Sequence, residues 1–269
     1  MLISEALDLK GRAFISLVGA GGKSTLFNRL AEELALKKKQ VILTTTTKMF
    51  AWQLDPFIKK SKLIEGQKEK VIQNSIKKYF SAENQKGQVV VIQKRIEEKG
   101  EEKLSGPPPK WLDKWWHLGL ADFFLVEADG AQEKPLKAPA FHEPVIPSST
   151  TDVIGVIGIE AVNLPLKEEN VFRAQIFAKI TGIKLGDKIG IEALAALVCH
   201  PQGLFKGVSR NCKCHLFINK VDDEERHILA NKLAYQVLQS CPERVQDIII
   251  GVAIQDKDKV VIDLIKGRR

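Results

Sequence analysis

Seven consecutive residues have the types and order needed to hold phosphate groups. Residues 14–18 (Phe-Ile-Ser-Leu-Val) predict a buried strand, and a glycine-rich turn follows directly, ahead of a segment with apolar residues at helical spacing. Glycines let backbone N–H groups approach phosphate oxygens, and a helix N-terminus adds its positive dipole at the same point. The segment consists of Gly19, Ala20, Gly21, Gly22, Lys23, Ser24 and Thr25. We therefore predict that it binds the phosphates of a nucleotide.

Lys23 and Ser24 stand where such a loop performs its chemistry. The lysine would neutralise the β- and γ-phosphates, which makes it a catalytic candidate, and the serine hydroxyl would reach a Mg²⁺ ion. The common longer form of the loop has a glycine where this chain has Leu17, so the match is to a shorter form. A purely structural turn is the alternative, but a lysine and a serine at the helix start favour nucleotide binding.

Two carboxylates follow another buried strand. Residues 123–126 (Phe-Phe-Leu-Val) are continuously apolar, and Glu127, Asp129 and Gly130 come after them. Acidic residues at the carboxyl end of a buried strand, after a phosphate loop, are suited to hold Mg²⁺ or its bound water. We expect Glu127 and Asp129 to be catalytic and to be metal ligands with Ser24, and Gly130 to meet the γ-phosphate. Because Asp-Gly is also a common turn, an exposed turn is the alternative.

A run of threonines ends the strand predicted at 41–44. Ligands bind at the carboxyl ends of strands in an α/β sheet, so one of these hydroxyls, which we take as Thr46, is expected near the γ-phosphate or Mg²⁺. The alternative is that β-branched residues are simply favoured in strands.

The strand predicted at 215–218 runs into Asn219, Lys220 and Asp222, the N-K-x-D pattern with which GTPases read guanine. In that element the aspartate accepts hydrogen bonds from guanine N1 and N2, and the lysine packs along the base. The tetrapeptide is common by itself, but its position after the phosphate loop and the acidic strand end matches the order in GTPases. The pattern favours GTP, with ATP left open as the alternative.

The segment 132–147 contains four prolines and is too irregular for a helix or a central strand. A long ordered loop beside a phosphate site is often functional. Lys134 and Lys137 are therefore candidates to bind substrate anions. His142 and Glu143 are weaker candidates for proton transfer or metal binding, because a lone His-Glu is more often a surface pair.

The four cysteines, at 199, 212, 214 and 241, lack the spacing of a disulfide scaffold, and a chain of 269 residues does not need one. Cys212, Cys214 and His215 form a weak metal-binding pattern without a second strong pair. Reduced thiols on a strand are the favoured interpretation.

The composition indicates which partners to expect. The net charge is +8, but the lysines are scattered without a repeating aromatic array, so a solvated surface is favoured over nucleic-acid binding. No apolar run approaches the ~20 residues of a membrane span. The N-terminus lacks the basic and apolar pattern of a secretory signal. We expect a cytoplasmic protein with no membrane partner.

Strand and helix patterns alternate through most of the chain, which predicts an α/β fold with a mostly parallel sheet flanked by helices, of the P-loop NTPase-like type. We expect residues 1–269 to form a single nucleotide-binding domain, with an insertion at about 50–118. Helices are predicted at 69–80 and 171–181. Trp111 and Trp115 would share one face of a short helix, where core packing is the favoured role.

Taken together, these stretches resemble a known family. The sequences LVGAGGKST, LTTTTKMF, LVEADGAQEKPLKAPAFHEPVIP, VIGVIG and HPQGLFKG resemble the YqeC-like family, described as selenium cofactor biosynthesis proteins or selenium-dependent molybdenum hydroxylase accessory proteins. The resemblance implies a P-loop nucleotide-binding protein that helps to mature such a hydroxylase. By position, the family's phosphate loop is 19–25, its acidic motif is Glu127, Asp129 and Gly130, and its lysine-proline loop contains Lys134 and Lys137.

Three functions are consistent with the sequence. The first is a maturation factor that binds Mg²⁺ with GTP or ATP and switches contacts with a molybdenum hydroxylase client or its cofactor, with slow hydrolysis left open. The second is an ATP-dependent transferase or ligase, because the short loop also resembles that of the Mur ligases. Its substrate would be an anionic cofactor precursor, such as a molybdopterin phosphate or a selenium anion. The third is a binding scaffold with a vestigial loop.

Overall fold

The computed structural model describes most of the chain. The described residues are 1–9, 11–58, 61–81, 86–98, 100–253 and 261–267, with the backbone alone at 55–58.

Fourteen strands and eight α-helices lie within the described residues. The strands are β1 (Ala13–Gly19), β2 (Gln40–Thr45), β3 (Lys48–Phe50), β4 (Lys62–Glu65), β5 (Gly87–Ile92), β6 (Lys94–Glu98), β7 (Glu101–Ser105), β8 (Phe123–Glu127), β9 (Leu136–Lys137), β10 (Asp152–Gly158), β11 (Val171–Phe172), β12 (Lys213–Asn219), β13 (Asp247–Gly251) and β14 (Val261–Lys266). The helices are α1 (Ile3–Ala6), α2 (Lys23–Leu36), α3 (Ala51–Ile58), α4 (Glu69–Ser81), α5 (Pro109–His117), α6 (Ala174–Thr181), α7 (Ile191–Cys199) and α8 (Glu224–Ser240).

A nine-stranded sheet forms the centre of the fold, in the order β14-β13-β12-β10-β1-β8-β2-β5-β4. All neighbouring strands in it are parallel except β13 and β14, which are antiparallel. Every residue of β1, β8 and β10 is buried, as expected of parallel strands covered on both faces. The predicted mostly parallel α/β fold is confirmed. The loops after β1, β2, β8 and β12 therefore emerge at one edge of the sheet.

Helices cover both faces of the sheet, and side chains alternate between them along β1. Ile15 and Leu17 pack in the cluster that contains α1 and α2, whereas Phe14 and Val18 pack on the opposite face. The cluster around Phe14 also contains Trp115 of α5, which is fully buried. The tryptophan helix therefore packs in the core.

Residues 50–118 contribute to two sheets. Within the described part of this segment, β4 and β5 extend the central sheet beyond β2, while β6 and β7 join β3 in a separate three-stranded antiparallel sheet. The three-stranded sheet and α3 stand beside the end of β2. This arrangement places the segment around Phe50 close to the phosphate-loop edge.

Two expectations from the sequence are corrected. The predicted helix at 171–181 begins only at Ala174, because residues 171–172 form β11 and pair with β9. Cys199 and Cys241, expected to be unpaired, form a disulfide that links the end of α7 to the end of α8. Cys212 and Cys214 are free thiols. None of the helices in the described ranges has the length and apolar character needed to cross a bilayer.

Candidate functional site

The glycine-rich turn between β1 and α2 has a backbone that other residues cannot adopt. Gly21 and Gly22 have φ of +83° and +114°, and a Cβ built on Gly21 would lie 2.2 Å from the backbone nitrogen of Gly158. Gly22 is the N-cap of α2, and no side chain from the described residues caps the helix. The free N–H groups of the first turn and the helix dipole thus make this end of α2 suited to an anion.

Lys23, the first residue of α2, is buried and points at carboxylates. Its Nζ lies 2.8 Å from the Gly19 carbonyl oxygen, 3.2 Å from Asp129 Oδ1 and 3.8 Å from Glu127 Oε1. Burial lowers the pKa of Lys23, but the charges of Asp129 and Glu127 outweigh it and leave the pKa raised. The lysine is therefore held charged next to the phosphate loop.

Ser24, in the first turn of α2, contacts Glu127, the last residue of β8. The serine Oγ donates to Glu127 Oε2 at 3.4 Å and accepts from Gln53 Nε2 at 2.6 Å. Burial is the main cause of the raised pKa of Glu127. Among the described residues no group of three or more His, Cys, Asp or Glu side chains could hold a metal by itself. A hydroxyl and one carboxylate suit Mg²⁺, which keeps several waters and takes oxygens from a phosphate.

Asp129 has a different role from Glu127, because it binds the loop and two lysines. Its Oδ2 accepts from the Gly19 N–H at 3.2 Å and lies 2.9 Å from Lys137 Nζ, while its Oδ1 faces Lys23. Of the two carboxylates predicted as metal ligands, Glu127 is the one that contacts Ser24, the third predicted ligand. In this conformation Asp129 fixes the cations around the loop.

A chain of buried charges continues from Asp129 away from the loop. Lys137, also buried, donates to the Gly130 carbonyl and lies 2.6 Å from Glu143 Oε2. Glu143 is paired in turn with Arg173. Burial raises the pKa of Glu143, but the hydrogen bonds from Arg173 and Lys137 lower it to about 2. Lys137 is therefore paired with carboxylates inside the protein. Lys134, by contrast, lies half-buried on the cavity wall.

Thr46 lies where β2 ends, beside Glu127. Its N–H donates to the Glu127 carbonyl at 3.1 Å, and its hydroxyl donates to the Val145 carbonyl at 2.6 Å. The residue thus joins the strand end to the proline-rich loop.

The N-K-x-D residues have three different environments. Asn219 is buried, donates to the Gly21 carbonyl at 2.8 Å and accepts from the Ala253 N–H at 2.9 Å, so it ties the phosphate loop to the segment just after β13. Lys220 pairs with Glu160, and Asp222 pairs with Arg226. The last two side chains are partly exposed at the rim of the same sheet edge.

A cavity of about 350 Å³ opens over the phosphate loop, a size within the range of small-molecule sites. The predicted site residues on its wall are Ala20, Gly21, Gly22, Lys23, Ser24, Thr25, Glu127, Gly130, Lys134 and Lys220. The predicted residues outside this lining are Gly19, Thr46, Asp129, Lys137, Asn219 and Asp222. Five lysines and two glutamates line the cavity, so its wall carries a positive balance.

A second cavity of about 460 Å³ adjoins the first, because Lys48, Gly130 and Gln132 line both. Thr46 and His142 lie on its wall. The buried charge chain from Lys23 to Arg173 ends at this cavity.

Nine residues of the first cavity were not predicted as site residues from the sequence. Three of them, Phe50, Trp52 and Gln53, lie close together in the chain, and Gln53 bonds directly to Ser24. Their only local signal is a position shortly after the threonine-rich strand end.

The cysteine and histidine pattern at 212–215 lies at the opposite end of β12. Burial raises the pKa of Cys212 to about 12 and that of Cys214 to about 11, so both thiols stay protonated at neutral pH. His215 is buried between two carboxylates, with Nε2 3.1 Å from Asp152 and Nδ1 3.1 Å from Asp247. These contacts make His215 part of an ion cluster that joins three strands.

The fold and site define a class of protein: a mostly parallel α/β protein in which a glycine-rich turn, an adjacent lysine and two carboxylates meet at the carboxyl edge of the sheet. The family described as YqeC protein matches residues 15–175. A protein of Escherichia coli (strain K12) with the name "Uncharacterized protein YqeC" is 33% identical over 229 residues, which cover 84% of this chain and 82% of the relative. The chain belongs to the YqeC family. No solved structure matches it significantly.

Proposed function

We propose that this protein is a P-loop nucleotide-binding protein that takes Mg²⁺ with GTP or ATP at residues 19–25. The observation that carries the proposal is the uncapped start of α2 next to Lys23, which is already held beside Asp129 and Glu127. Backbone N–H groups, a helix dipole and a lysine at one point favour a chain of phosphates over other anions.

The residues present fit a magnesium nucleotide. Lys23 would exchange its carboxylate partners for phosphate oxygens, and Ser24 and Glu127 would hold the metal through the oxygens that now contact each other. The bound ion would neutralise charge on the phosphates. Asp129 would keep its bond to the Gly19 N–H and so preserve the loop.

The base preference is proposed to be guanine, with adenine as the competing choice. Asn219 supports the loop from behind, and Asp222 lies exposed at the rim, where a base could reach it. Because Asp222 pairs with Arg226, guanine would have to share that carboxylate. A comparison of GTP and ATP affinity decides between the two bases.

For the cellular role we propose the one that the family resemblance implies: an accessory factor for a selenium-dependent molybdenum hydroxylase or its cofactor. The cavity supports a competing role as an ATP-dependent transferase or ligase, because it extends well beyond the phosphate loop along a lysine-bearing wall. Such a wall suits a second, anionic substrate.

Isothermal titration of Mg²⁺-GTP and Mg²⁺-ATP tests the nucleotide proposal. We expect the wild type to bind at least one of them and Lys23→Ala to weaken that affinity by about a hundredfold, close to 2.7 kcal/mol. Lys38→Ala, an exposed lysine just beyond the other end of α2, is the matched control and should bind as the wild type does. Because Lys23 is buried, Ser24→Ala provides a second variant that removes only a hydroxyl. Equal affinity of all four proteins would overturn the proposal.

A further inference from the structure

We propose that the far wall of the first cavity, formed by Phe50, Trp52 and Lys103, binds a second substrate that is a flat heterocyclic anion. The inference rests on the proposed nucleotide site, because it places this substrate beside the terminal phosphate. It adds a binding site and a ligand class to the same cavity.

The aromatic part of the wall is a stacked pair. The rings of Phe50 and Trp52 lie 5.9 Å apart with 14° between their planes, and Trp52 is 52% exposed. Phe50 ends β3 and Trp52 lies in the first turn of α3, so two short elements hold the pair at the cavity. An exposed tryptophan with an aromatic neighbour presents a surface on which a planar ring can stack.

Two lysines, Lys48 and Lys103, line the cavity beside the aromatic pair. Lys103 Nζ lies 5.0 Å from the centre of the Phe50 ring. Lys103 and Lys48 share one carboxylate, Glu98, at 3.5 and 2.9 Å, so two cations have one counter-charge. Lys134, across the cavity, forms no ion pair within the described part of the chain. A ligand that combines a flat ring with a negative group matches both parts of the wall.

The position of the wall separates it from the proposed base site. In the sheet order, the element that carries Phe50 follows β2, on the β8 side of β1, whereas the N-K-x-D residues follow β12 on the other side. Gln53, next to Trp52, bonds to Ser24, so the wall lies at the proposed metal end of the phosphate loop. A nucleotide whose base faces Asp222 therefore directs its terminal phosphate toward the aromatic pair.

Binding of two flat heterocyclic anions, pterin-6-carboxylate and orotate, tests the inference. Each is titrated into protein saturated with a non-hydrolysable Mg²⁺-nucleotide, and inorganic phosphate serves as an anion without a ring. We expect at least one probe to bind and inorganic phosphate to bind about tenfold more weakly or not at all. Failure of both probes to bind would overturn the inference, while nucleotide binding in the same protein would leave the proposed function standing.

Variants locate the probe. Trp52→Ala and Lys103→Ala should each weaken probe binding by about tenfold, with a much smaller effect on the nucleotide. Tyr235→Ala, which removes an exposed aromatic ring on α8 outside the cavity, should change neither affinity. If Trp52→Ala weakens the nucleotide as much as the probe, the pair is the base platform and the inference is wrong. Probe binding that is insensitive to Trp52→Ala would overturn it as well.

Discussion

Single buried charges determine how the phosphate loop is held. Lys23, Asp129, Lys137 and Glu143 alternate in sign, and each is within 3.2 Å of the next. A buried charge is costly without a partner, and removal of one member leaves its neighbours uncompensated. The chain of charges therefore supports the loop through Asp129, the member that also bonds to the Gly19 N–H.

Asp129→Asn should destabilise the protein by about 3–5 kcal/mol, because two buried lysines lose their shared counter-charge. Urea unfolding followed by circular dichroism measures this. Asp222→Asn is the matched control, since Asp222 forms a partly exposed pair with Arg226 and should cost less than about 1 kcal/mol. Equal losses in the two variants would contradict the role given to Asp129.

The backbone at Gly21 leads to a prediction about the cost of replacing this glycine by alanine. Gly21 and Gly119 both have positive φ, at +83° and +66°, but a Cβ on Gly119 would meet nothing within 4 Å, whereas one on Gly21 would collide with Gly158. Gly119→Ala should cost about 1–2 kcal/mol, the strain of a left-handed residue alone. Gly21→Ala should cost clearly more and lower nucleotide affinity. Thermal unfolding of both variants decides this, and similar melting temperatures would count against a backbone clash.

At the scale of elements, contacts between distant segments hold the edges of the site together. Asn219, at the end of β12, ties the phosphate loop to residue 253, and β9, which lies within the proline-rich loop, pairs with β11. The Cys199–Cys241 disulfide fixes the ends of α7 and α8, which pack on one face of the sheet. These contacts join segments that are far apart in the chain.

The disulfide closes a loop with a sequence separation of 42 residues. On the chain-entropy account, Cys241→Ser should lower the free energy of unfolding by about 4 kcal/mol. Cys212→Ser, at a free cysteine, is the control and should have little effect. Adding dithiothreitol to the wild type should bring it to the level of Cys241→Ser. Wild-type stability that is unchanged by the reductant would contradict this stabilising role.

Local sequence patterns predict most helices and strands, but they do not predict contacts between residues far apart in the chain. An apolar run followed by glycines and a lysine predicts β1 and α2, because periodicity and turn chemistry depend on neighbouring residues. The pattern at 171–181 predicts a helix from its first residue, but residues 171–172 form a strand because they pair with Leu136 and Lys137. The Cys199–Cys241 disulfide and the Gln53–Ser24 contact likewise depend on the tertiary fold. Strand ends could thus be predicted, but the partners that face them could not.

At the scale of the whole molecule, the two ends of the sheet carry different charge clusters. The carboxyl end carries the phosphate loop, and the amino end carries His215 with Asp152 and Asp247, the first residues of β10 and β13. Thr151 and Lys213 also lower the pKa of Asp152, and Lys266 also lowers the pKa of Asp247. This second cluster joins three neighbouring strands, so its ionisation is linked to global stability.

The His215 cluster predicts how stability depends on pH. Burial lowers the pKa of His215, but the hydrogen bonds that its ring donates to Asp152 and Asp247, and the charges of these carboxylates, outweigh burial and leave the pKa above 6.5. The stabilisation of the folded protein by the charged His215 is therefore complete below pH 6.5, and it is lost as the pH rises through the pKa of His215 in the folded state. Burial raises the pKa of Asp152 and Asp247, but the bonds to His215 and their other partners leave it below 3.8, so their contribution is lost only as pH falls further.

Urea unfolding of the wild type and His215→Gln across this range tests the pH dependence. The stability difference between the two proteins should be largest between about pH 4 and 6.5 and should shrink at higher pH. His227→Gln, which removes a half-exposed histidine on α8, is the control and should leave the wild-type profile almost unchanged. A difference for His215→Gln that stays constant from about pH 5 to 9 would contradict the raised pKa.

A crystal structure with Mg²⁺ and a non-hydrolysable GTP or ATP analogue tests the nucleotide site most directly. We expect density for the β-phosphate within hydrogen-bond distance of the N–H groups at residues 21–24, with Lys23 Nζ turned from Asp129 to the phosphates and the metal next to Ser24. Density for the nucleotide elsewhere, or a loop that stays closed on Lys23 in saturating nucleotide, would contradict it.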